Sequence, residues 1–265
     1  MTTQALTGPR TIYRPPEDGI AAKADYPDAP VSRVLDRSTP GAELFAVQVA
    51  IGGDIPLHYH SVYELQYVLS GTGLALNADG DEIPIAPGGA VLSPAGAAGA
   101  HGFRNTGPLP LTLLCVYPAP GGATPDRTAF ELGSSVGSGP RTSYLPPHEA
   151  RPAEPDYPDA PVARIMDEQA AGAELCAVMV SISGEIPLHY HPVFELQYVI
   201  GGNGVAIDAD GSEMAIAPGG SVLSPAGASG AHGFRATGSL PLQLLCVYPA
   251  SGGATPGRTV VPSSP

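Results

Sequence analysis

The feature that most constrains the fold is an internal repeat that relates nearly all of one half of the chain to the other. The segment Asp25-Tyr-Pro-Asp-Ala-Pro returns as Asp156-Tyr-Pro-Asp-Ala-Pro, 131 residues later. From residue 25 to residue 128 the alignment of the two copies needs no gap, and about 70% of the positions are identical. A period this long indicates a duplicated domain and not a solenoid unit. We therefore predict two domains, residues 1–133 and 134–265, joined by the Gly- and Ser-rich stretch at 133–140.

Short apolar runs separated by turn residues fill each half. In the first half, residues 43–51, 64–69, 73–77 and 110–117 are expected to form strands, with Gly and Pro in the turns between them. No segment has a convincing 3.6-residue period, so helices should be few and short. We predict an all-β fold of two tandem double-sheet jelly-roll barrels. These would pair about a pseudo-two-fold axis within the chain, with a homodimer as a further option.

The acidic composition limits the partners. A formal net charge of −13 repels nucleic-acid phosphates, and the sequence has no basic stripe interleaved with aromatic residues. The segment Met1–Gly19 is polar, and no run approaches the ~18 apolar residues that a membrane span needs. We therefore expect a cytoplasmic protein that binds a small molecule and neither nucleic acid nor membranes.

Six of the seven histidines occupy repeat-equivalent positions. His58 and His60 lie two apart on a predicted strand, so their side chains share a face, and Glu64 follows after a short turn. A second strand brings in His101. Three imidazoles and a carboxylate that converge inside a barrel can bind a divalent metal and leave positions open for water or substrate. The predicted metal ligands are His58, His60, Glu64 and His101 in the first half, and His189, His191, Glu195 and His232 in the second.

The alternative to a metal site is a set of buried polar residues satisfied by hydrogen bonds alone. That arrangement would need many matched partners in both halves, because an unpaired buried polar group is costly. We favour the metal.

The spacing of these residues resembles the two signatures of the cupin superfamily. The motifs are Gly52-x5-His58-x-His60-x3-Glu64-x6-Gly71, and Gly88-x5-Pro94-x-Gly96 followed by His101-x3-Asn105. The second half repeats both, so the resemblance covers nearly the whole chain. It implies a bicupin, with two tandem cupin barrels that each bind a metal through three His and one Glu.

Three departures from the family pattern leave the predicted ligands intact. Four residues, in place of the usual two, separate Gly96 from His101, and the corresponding loop of the second half is equally long. In the second half Ser183 stands in place of the first Gly, and Ala236 in place of the final Asn. Both halves keep a full ligand set, so we expect two equivalent sites.

Two glutamines accompany the carboxylates. Gln66 and Gln197 follow Glu64 and Glu195 by two residues and should face the same way. We take all four as candidate catalytic residues, since the amides would orient substrate, hydrogen-bond a ligand or replace Glu as a ligand. A satisfied amide near the barrel mouth is an equal alternative.

Other residues near the third histidine allow two interpretations. Phe103 and Phe234 form either a pocket wall or, as we slightly favour, ordinary core. Arg104 and Arg235 would bind a substrate anion or, because strand alternation points them away from the metal, be structural residues or form ion pairs between sheets. The small residues at 93–100 leave an open mouth for a bulky substrate or permit a tight backbone path.

The remaining histidine and the cysteines are expected to be structural. His148 lies in a Pro-rich segment and should be at the surface. Cys115 and Cys246 occupy equivalent apolar runs, and with Cys176 they make an odd count without CxxC spacing. We interpret the cysteines as buried small hydrophobic residues and not as reactive or redox groups.

Three functions fit the predicted site. We favour a metal-dependent oxidoreductase of the dioxygenase type, acting on a small organic molecule with one Fe(II) per domain. Mn, Ni, Zn, Co or Cu would also suit these ligands. The second hypothesis is non-redox chemistry at the same metal, such as that of an isomerase, a lyase or a polyketide-cyclase-like enzyme. The third is a metal-dependent small-molecule binding module without turnover.

Overall fold

A computed structural model describes residues 7–262. Residues 1–6 and 263–265, at the outer ends of the two predicted domains, lie outside this part, as does the start of the polar segment Met1–Gly19. Each half folds into the predicted jelly-roll barrel of two sheets. The four strands predicted for the first half are all present, with ends within one residue of those expected.

The strands of the first half are β1 (Ile12–Arg14), β2 (Ile20–Ala22), β3 (Val31–Leu35), β4 (Leu44–Ile51), β5 (Asp54–Tyr59), β6 (Glu64–Ser70), β7 (Gly73–Asn77), β8 (Glu82–Ile85), β9 (Ala90–Ser93), β10 (His101–Asn105), β11 (Leu111–Pro118) and β12 (Thr128–Ala129). The strands of the second half are β13 (Ser143–Leu145), β14 (Arg151–Ala153), β15 (Val162–Met166), β16 (Leu175–Ile182), β17 (Glu185–Tyr190), β18 (Glu195–Gly201), β19 (Gly204–Asp208), β20 (Glu213–Ile216), β21 (Ser221–Ser224), β22 (His232–Ala236), β23 (Leu242–Pro249) and β24 (Thr259–Val260).

Helices in the described part of the chain are single three-residue 3-10 turns, as the lack of helical periodicity predicts. They lie at Pro16–Asp18, Ala97–Gly99, Pro120–Gly122, Pro147–Glu149, Ala228–Gly230 and Ser251–Gly253.

A seven-stranded and a five-stranded sheet form each barrel. The first barrel has the strand orders β13-β9-β6-β11-β4-β3-β2 and β12-β5-β10-β7-β8. The second has β1-β21-β18-β23-β16-β15-β14 and β20-β19-β22-β17-β24. Neighbouring strands are antiparallel, and the interior of each barrel is an apolar core between its two sheets.

The long strands of the seven-stranded sheets are buried on both faces, which explains why their sequences are nearly continuous apolar runs. In β4, Phe45, Val47 and Val49 point into the first barrel, whereas Leu44 and Ala46 point outward. The outward residues of both halves join in one shared core, so the two barrels pack against each other through the outer faces of these sheets.

Reciprocal hydrogen bonds give this interface an approximate two-fold symmetry. The Glu174 carboxylate accepts a hydrogen bond from the Tyr63 backbone N–H at 2.6 Å, and Glu43 accepts one from Phe194 N–H at 2.7 Å. Each pair is the repeat equivalent of the other. The predicted pairing about a pseudo-two-fold axis is therefore present within one chain.

The two halves also exchange their first strands. β1 pairs with β21 of the second barrel, and β13 pairs with β9 of the first. The division at 133/134 thus separates the two sequence repeats, but each barrel includes an arm from the other half.

Candidate metal centres

The metal centre of the first half lies between the two sheets of its barrel. β5 carries His58, and His60 follows directly at its end. β10 begins at His101, which pairs across the sheet with His58. Glu64 begins β6 in the opposite sheet, so the two sheets together assemble the cluster. The four predicted ligands offer donor atoms that lie within 4.8 Å of one another.

The carboxylate lies at the centre of the cluster. Glu64 Oε2 is 2.8 Å from His101 Nε2 and 3.2 Å from His60 Nε2. In the second half, Glu195 Oε2 is 2.9 Å from His232 Nε2 and 3.3 Å from His191 Nε2. All eight predicted ligands are buried, so the expectation of two equivalent ligand clusters matches their geometry.

Backbone carbonyls fix the orientation of the imidazoles. In the first half, His58 Nδ1 lies 2.9 Å from the Pro56 carbonyl, His101 Nδ1 lies 3.0 Å from the Gly99 carbonyl, and His60 Nδ1 contacts the Asp126 carbonyl. The second half has the same three kinds of contact. A carbonyl only accepts, so an Nδ1 atom that bonds to it is the donor, and Nε2 is then the atom that faces the centre. Outer hydrogen bonds of this kind typically orient histidines that ligate metals.

The donor set fits a divalent cation. In the first half the Nε2 atoms of His60 and His101 and the Oε2 atom of Glu64 are buried without a hydrogen-bond partner, as are His191 Nε2 and Glu195 Oε2 in the second. Imidazole nitrogens and a carboxylate oxygen therefore lie close together in the buried centre without a well-formed hydrogen bond between them. A cation in their midst would satisfy them all, whereas hydrogen bonding alone does not.

The pKa values of His58, His189 and Glu64 favour the forms that bind metal, whereas that of His60 does not. Burial and the neighbouring His101 lower the pKa of His58 to about 2, and burial and His232 lower that of His189 to about 3. Burial opposes ionisation of Glu64, but His101 and His60 outweigh it and hold its pKa well below the usual range. Burial lowers the pKa of His60, but the Glu64 charge and the contacts with Glu64 and the Asp126 carbonyl together outweigh it, so the net shift is upward.

Two tyrosines complete the carboxylate contacts, and we did not predict them from the sequence. Tyr117 donates its hydroxyl to Glu64 Oε1 at 2.6 Å, and Tyr248 does the same to Glu195 Oε1. Burial and the carboxylate charge raise the pKa of each tyrosine well above its usual value, so both stay protonated donors. The sequence signal that could have identified these tyrosines is the hydroxyl that each of them places at the same position of an apolar run.

A cavity of about 240 Å³ leads to the first metal centre, and one of about 160 Å³ leads to the second. The first is lined by His58, His60 and Glu64 at one side and by apolar side chains over most of its wall. Phe103 belongs both to this wall and to the core, so the two interpretations of that residue coincide.

Arg127 sits at this cavity and was also not predicted as a site residue. Its Nη1 lies 3.0 Å from Asp25 Oδ2, its guanidinium carbon lies 4.7 Å from the centre of the Tyr26 ring, and its Nη2 lies 3.1 Å from His58 Nδ1. In the second half Arg258 contacts the repeat-equivalent aspartate and tyrosine. The repeated Asp-Tyr-Pro-Asp segment therefore positions an arginine beside each metal centre.

The glutamines lie beside the metal centres but away from the cavities. Gln66 is fully buried and accepts a hydrogen bond from Ser93 at 3.2 Å, and its Nε2 has no partner. Gln197 Nε2 is 3.1 Å from His232 Nε2. Neither amide is among the described residues that line the two cavities. A catalytic role for them stays a prediction, and the contact between Gln197 and His232 favours holding a ligand over touching substrate in the second half.

The small-residue loop before His101 follows a tight backbone path. Gly99 lies in a 3-10 turn, and a Cβ atom there would be 1.9 Å from the Pro94 carbonyl oxygen, so no larger residue fits. This packing places the Gly99 carbonyl against His101. The loop does not widen the cavity mouth.

The arginines after the third histidine are surface ion-pair residues. Arg104 binds Glu82 at 2.7 Å, and Arg235 binds Glu213 at 2.7 Å. β8 and β10 flank the same strand, so these pairs lie within one sheet. The structural interpretation of the two arginines agrees with this placement, and the alternative of pairs between sheets is wrong.

The cysteines and the seventh histidine have the expected surroundings. All three cysteines are free and buried, and burial, with a further effect of Glu64, raises the pKa of Cys115 well above its usual value. His148 is exposed.

None of the helices between residues 7 and 262 is long and apolar enough to span a bilayer.

Comparison with protein families matches the model of the cupin domain at two places, residues 45–117 and 178–248. Together these regions cover more than half of the chain, and each includes all four predicted ligands of its half. No curated protein matches the sequence.

Among solved structures, the chain is similar to oxalate decarboxylases. A point mutant of the Bacillus subtilis enzyme has a TM-score of 0.69 at 16% identity, over 97% of this chain and 81% of that one. The formate complex of the Lactobacillus farciminis enzyme has a TM-score of 0.68 at 16% identity, over 97% of this chain and 90% of that one. At this identity the likeness concerns the fold.

Proposed function

The chain belongs to the cupin family, and we propose that it is a metal-dependent enzyme that acts on a small organic molecule, with Fe(II)-dependent dioxygenase activity favoured. One observation carries this proposal. In each half, buried imidazole nitrogens and a carboxylate oxygen without hydrogen-bond partners converge at the end of a cavity lined mostly by apolar side chains. A site of this kind suits a cation and a largely apolar substrate together.

The chain's own residues would bind and orient the metal. His58, His60, His101 and Glu64 supply the donor atoms, and Tyr117 holds the second carboxylate oxygen so that the first faces the centre. Iron bound there would supply the redox chemistry that couples O2 to oxidation of the substrate. The apolar wall would exclude water from that reaction.

In the first cavity, Tyr117 and Asp25 are both committed to other partners, which favours the dioxygenase over an isomerase or a cyclase. Tyr117 is a donor committed to Glu64, and its raised pKa keeps it protonated. Asp25, a carboxylate at the same cavity that is not a predicted ligand, is paired with Arg127. General acid–base chemistry requires a group with a pKa near the working pH in reach of the substrate.

Non-redox lyase chemistry is the second candidate. Two observations support it, namely the fold similarity to oxalate decarboxylases and the position of Arg127 beside the predicted ligand His58. A guanidinium at that place would hold a substrate carboxylate next to the metal. Decarboxylation would then need a metal acting without net oxidation of the substrate.

Turnover under controlled oxygen separates these candidates. The protein would be purified without chelators, its metal content measured, and the iron-loaded form incubated with a panel of carboxylates and aromatic metabolites. Consumption of O2 that matches loss of substrate would support the dioxygenase. Equal turnover without O2, with release of CO2, would support the lyase. Saturable binding without any turnover would identify a binding module and contradict both.

A further inference from the structure

The two cavities differ at one charged position of their rims. Lys23 lines the first cavity, and its repeat equivalent in the second is Glu154. Both side chains are exposed, so they reach the opening through which a ligand would enter. The substitution changes the rim by two units of charge.

The other charged residues of the rims are equivalent. Each cavity has an arginine on the seven-stranded sheet, Arg33 or Arg164, and the arginine–aspartate pair already described. The first rim therefore has an excess of positive charge from its lining residues, whereas the charges of the second balance.

A second charge difference between the halves, at residue 126, does not reverse the difference in charge between the two rims. Asp126 has Gly257 as its counterpart and lies next to Arg127 in the sequence. Its carboxylate accepts hydrogen bonds from the Ser61 N–H and hydroxyl at 3.0 and 2.6 Å, and it is not among the residues that line the cavity.

We infer that residue 23 and its counterpart 154 determine the charge of the ligand that each cavity accepts. The first cavity selects an organic anion, a carboxylate with an apolar body, and the second lacks this preference for the anion over its neutral analogue. The apolar part of the ligand would contact the apolar wall of the cavity, which includes Val47, Val49 and Phe103. This inference rests on the proposed function, since it assigns a substrate class to the same sites. Charged groups at the edge of a binding site contribute more to specificity, here between an anion and a neutral ligand, than to overall affinity.

Methyl NMR can examine each cavity separately. Val47 and Val178 are repeat equivalents, and each lines one cavity. In protein labelled at valine methyls and loaded with diamagnetic Zn(II), benzoate and its neutral analogue benzamide would be titrated, and the shifts of the two valines would give two separate dissociation constants. The same titrations would be run on metal-free protein.

We expect the preference for benzoate over benzamide to be roughly tenfold greater at Val47 than at Val178, which corresponds to about 1.4 kcal/mol. Lys23→Glu should remove this excess at Val47 alone, and Glu154→Lys should create it at Val178 alone. Glu149→Lys, an exposed acid outside both cavities, makes the same charge change and should alter neither preference.

Three results would overturn the inference: equal preferences at the two valines, an unchanged preference in both rim variants, or the absence of any benzoate-induced shift. The charge at the rim acts whether or not metal is present, so the metal-free titration judges the inference by itself. A failure to load metal would contradict the proposed function and leave this comparison valid.

Discussion

At the residue scale, the chemistry of each centre depends on where protons are held. Backbone carbonyls take the Nδ1 protons of the histidines, and a tyrosine hydroxyl takes one oxygen of the glutamate. What remains pointing inward are imidazole Nε2 atoms and the other carboxylate oxygen. The ligand residues could be predicted from spacing and repetition. The sequence marks Tyr117 as a polar group in an apolar run, but strand alternation alone does not say that Tyr117 or Arg127 meets the ligands across the barrel.

Removal of the Tyr117 hydroxyl should destabilise the protein. In Tyr117→Phe, the buried Glu64 Oε1 would lose its donor, at a cost of about 1–3 kcal/mol in the free energy of unfolding. Urea unfolding of the metal-free protein would measure the change. Tyr144→Phe loses a more exposed hydroxyl that contacts the Ala86 backbone, and it should cost less. Equal stability of both variants and the wild type would contradict this assignment.

The metal-free protein should lose stability as the pH falls below about 6.5. His58 and His189 have folded-state pKa values of about 2 and about 3, so between these values and 6.5 the unfolded chain binds protons that the folded chain does not. Each such histidine contributes a slope of about 1.4 kcal/mol per pH unit. The raised pKa of His60 acts in the opposite direction, since its contribution is present at low pH and is lost as the pH rises.

Urea unfolding at pH 7, 6 and 5 with a chelator present would measure this dependence. His58→Gln should flatten it, because a glutamine does not take up a proton in either state. An identical slope in the variant and the wild type would show that His58 is not held neutral by burial.

At the element scale, strands buried on both faces and exchanged arms join the two halves. The apolar runs of β4 and β11 predicted strands, but their double burial follows from packing between barrels. The exchange of β1 and β13 could not be predicted. Tyr13 and Tyr144, within these arms, are repeat equivalents, so the same side-chain pattern fits either barrel.

The exchanged arms should couple each metal centre to the opposite half. Thr142, just before β13, donates its hydroxyl to the Gly99 carbonyl at 2.9 Å, and the same carbonyl binds His101 Nδ1. Thr142→Val should therefore weaken metal binding at the first centre, by roughly tenfold, although residue 142 belongs to the second repeat. Thr11→Val should do the same at the second centre, since Thr11 contacts the Gly230 carbonyl.

Metal titration in single-centre backgrounds, made with His189→Ala or His58→Ala, would measure these effects. Thr142→Ser keeps the hydroxyl and serves as the matched control. A purely structural role would lower the unfolding temperature without changing affinity, and an effect of Thr142→Val on the second centre alone would refute the coupling.

At the scale of the whole molecule, the chain is a pseudo-dimer whose two barrels share one core. That core contains outward-facing residues such as Leu44, Leu65 and Leu114 with their counterparts Leu175, Leu196 and Leu245. The repeat predicted this pairing, but only the structure shows which sheet faces form it.

A single repeat produced alone should therefore form a dimer. In a chain of residues 1–133, the outer face of the seven-stranded sheet would be exposed and β1 would have no partner in its own barrel. A second copy supplies both the covering face and the acceptor strand. Light scattering after size-exclusion chromatography would measure the mass, and a stable folded monomer would contradict the role assigned to the shared core.

The metal content of the whole chain tests the central claim, that each half holds one complete centre. After repletion and removal of excess metal, elemental analysis should find about two metals per wild-type chain. His58→Ala and His189→Ala should each retain about one, the double variant about none, and His148→Ala, an exposed histidine outside both centres, should retain two. Loss of both metals from one substitution, or metal kept by the double variant, would contradict the account.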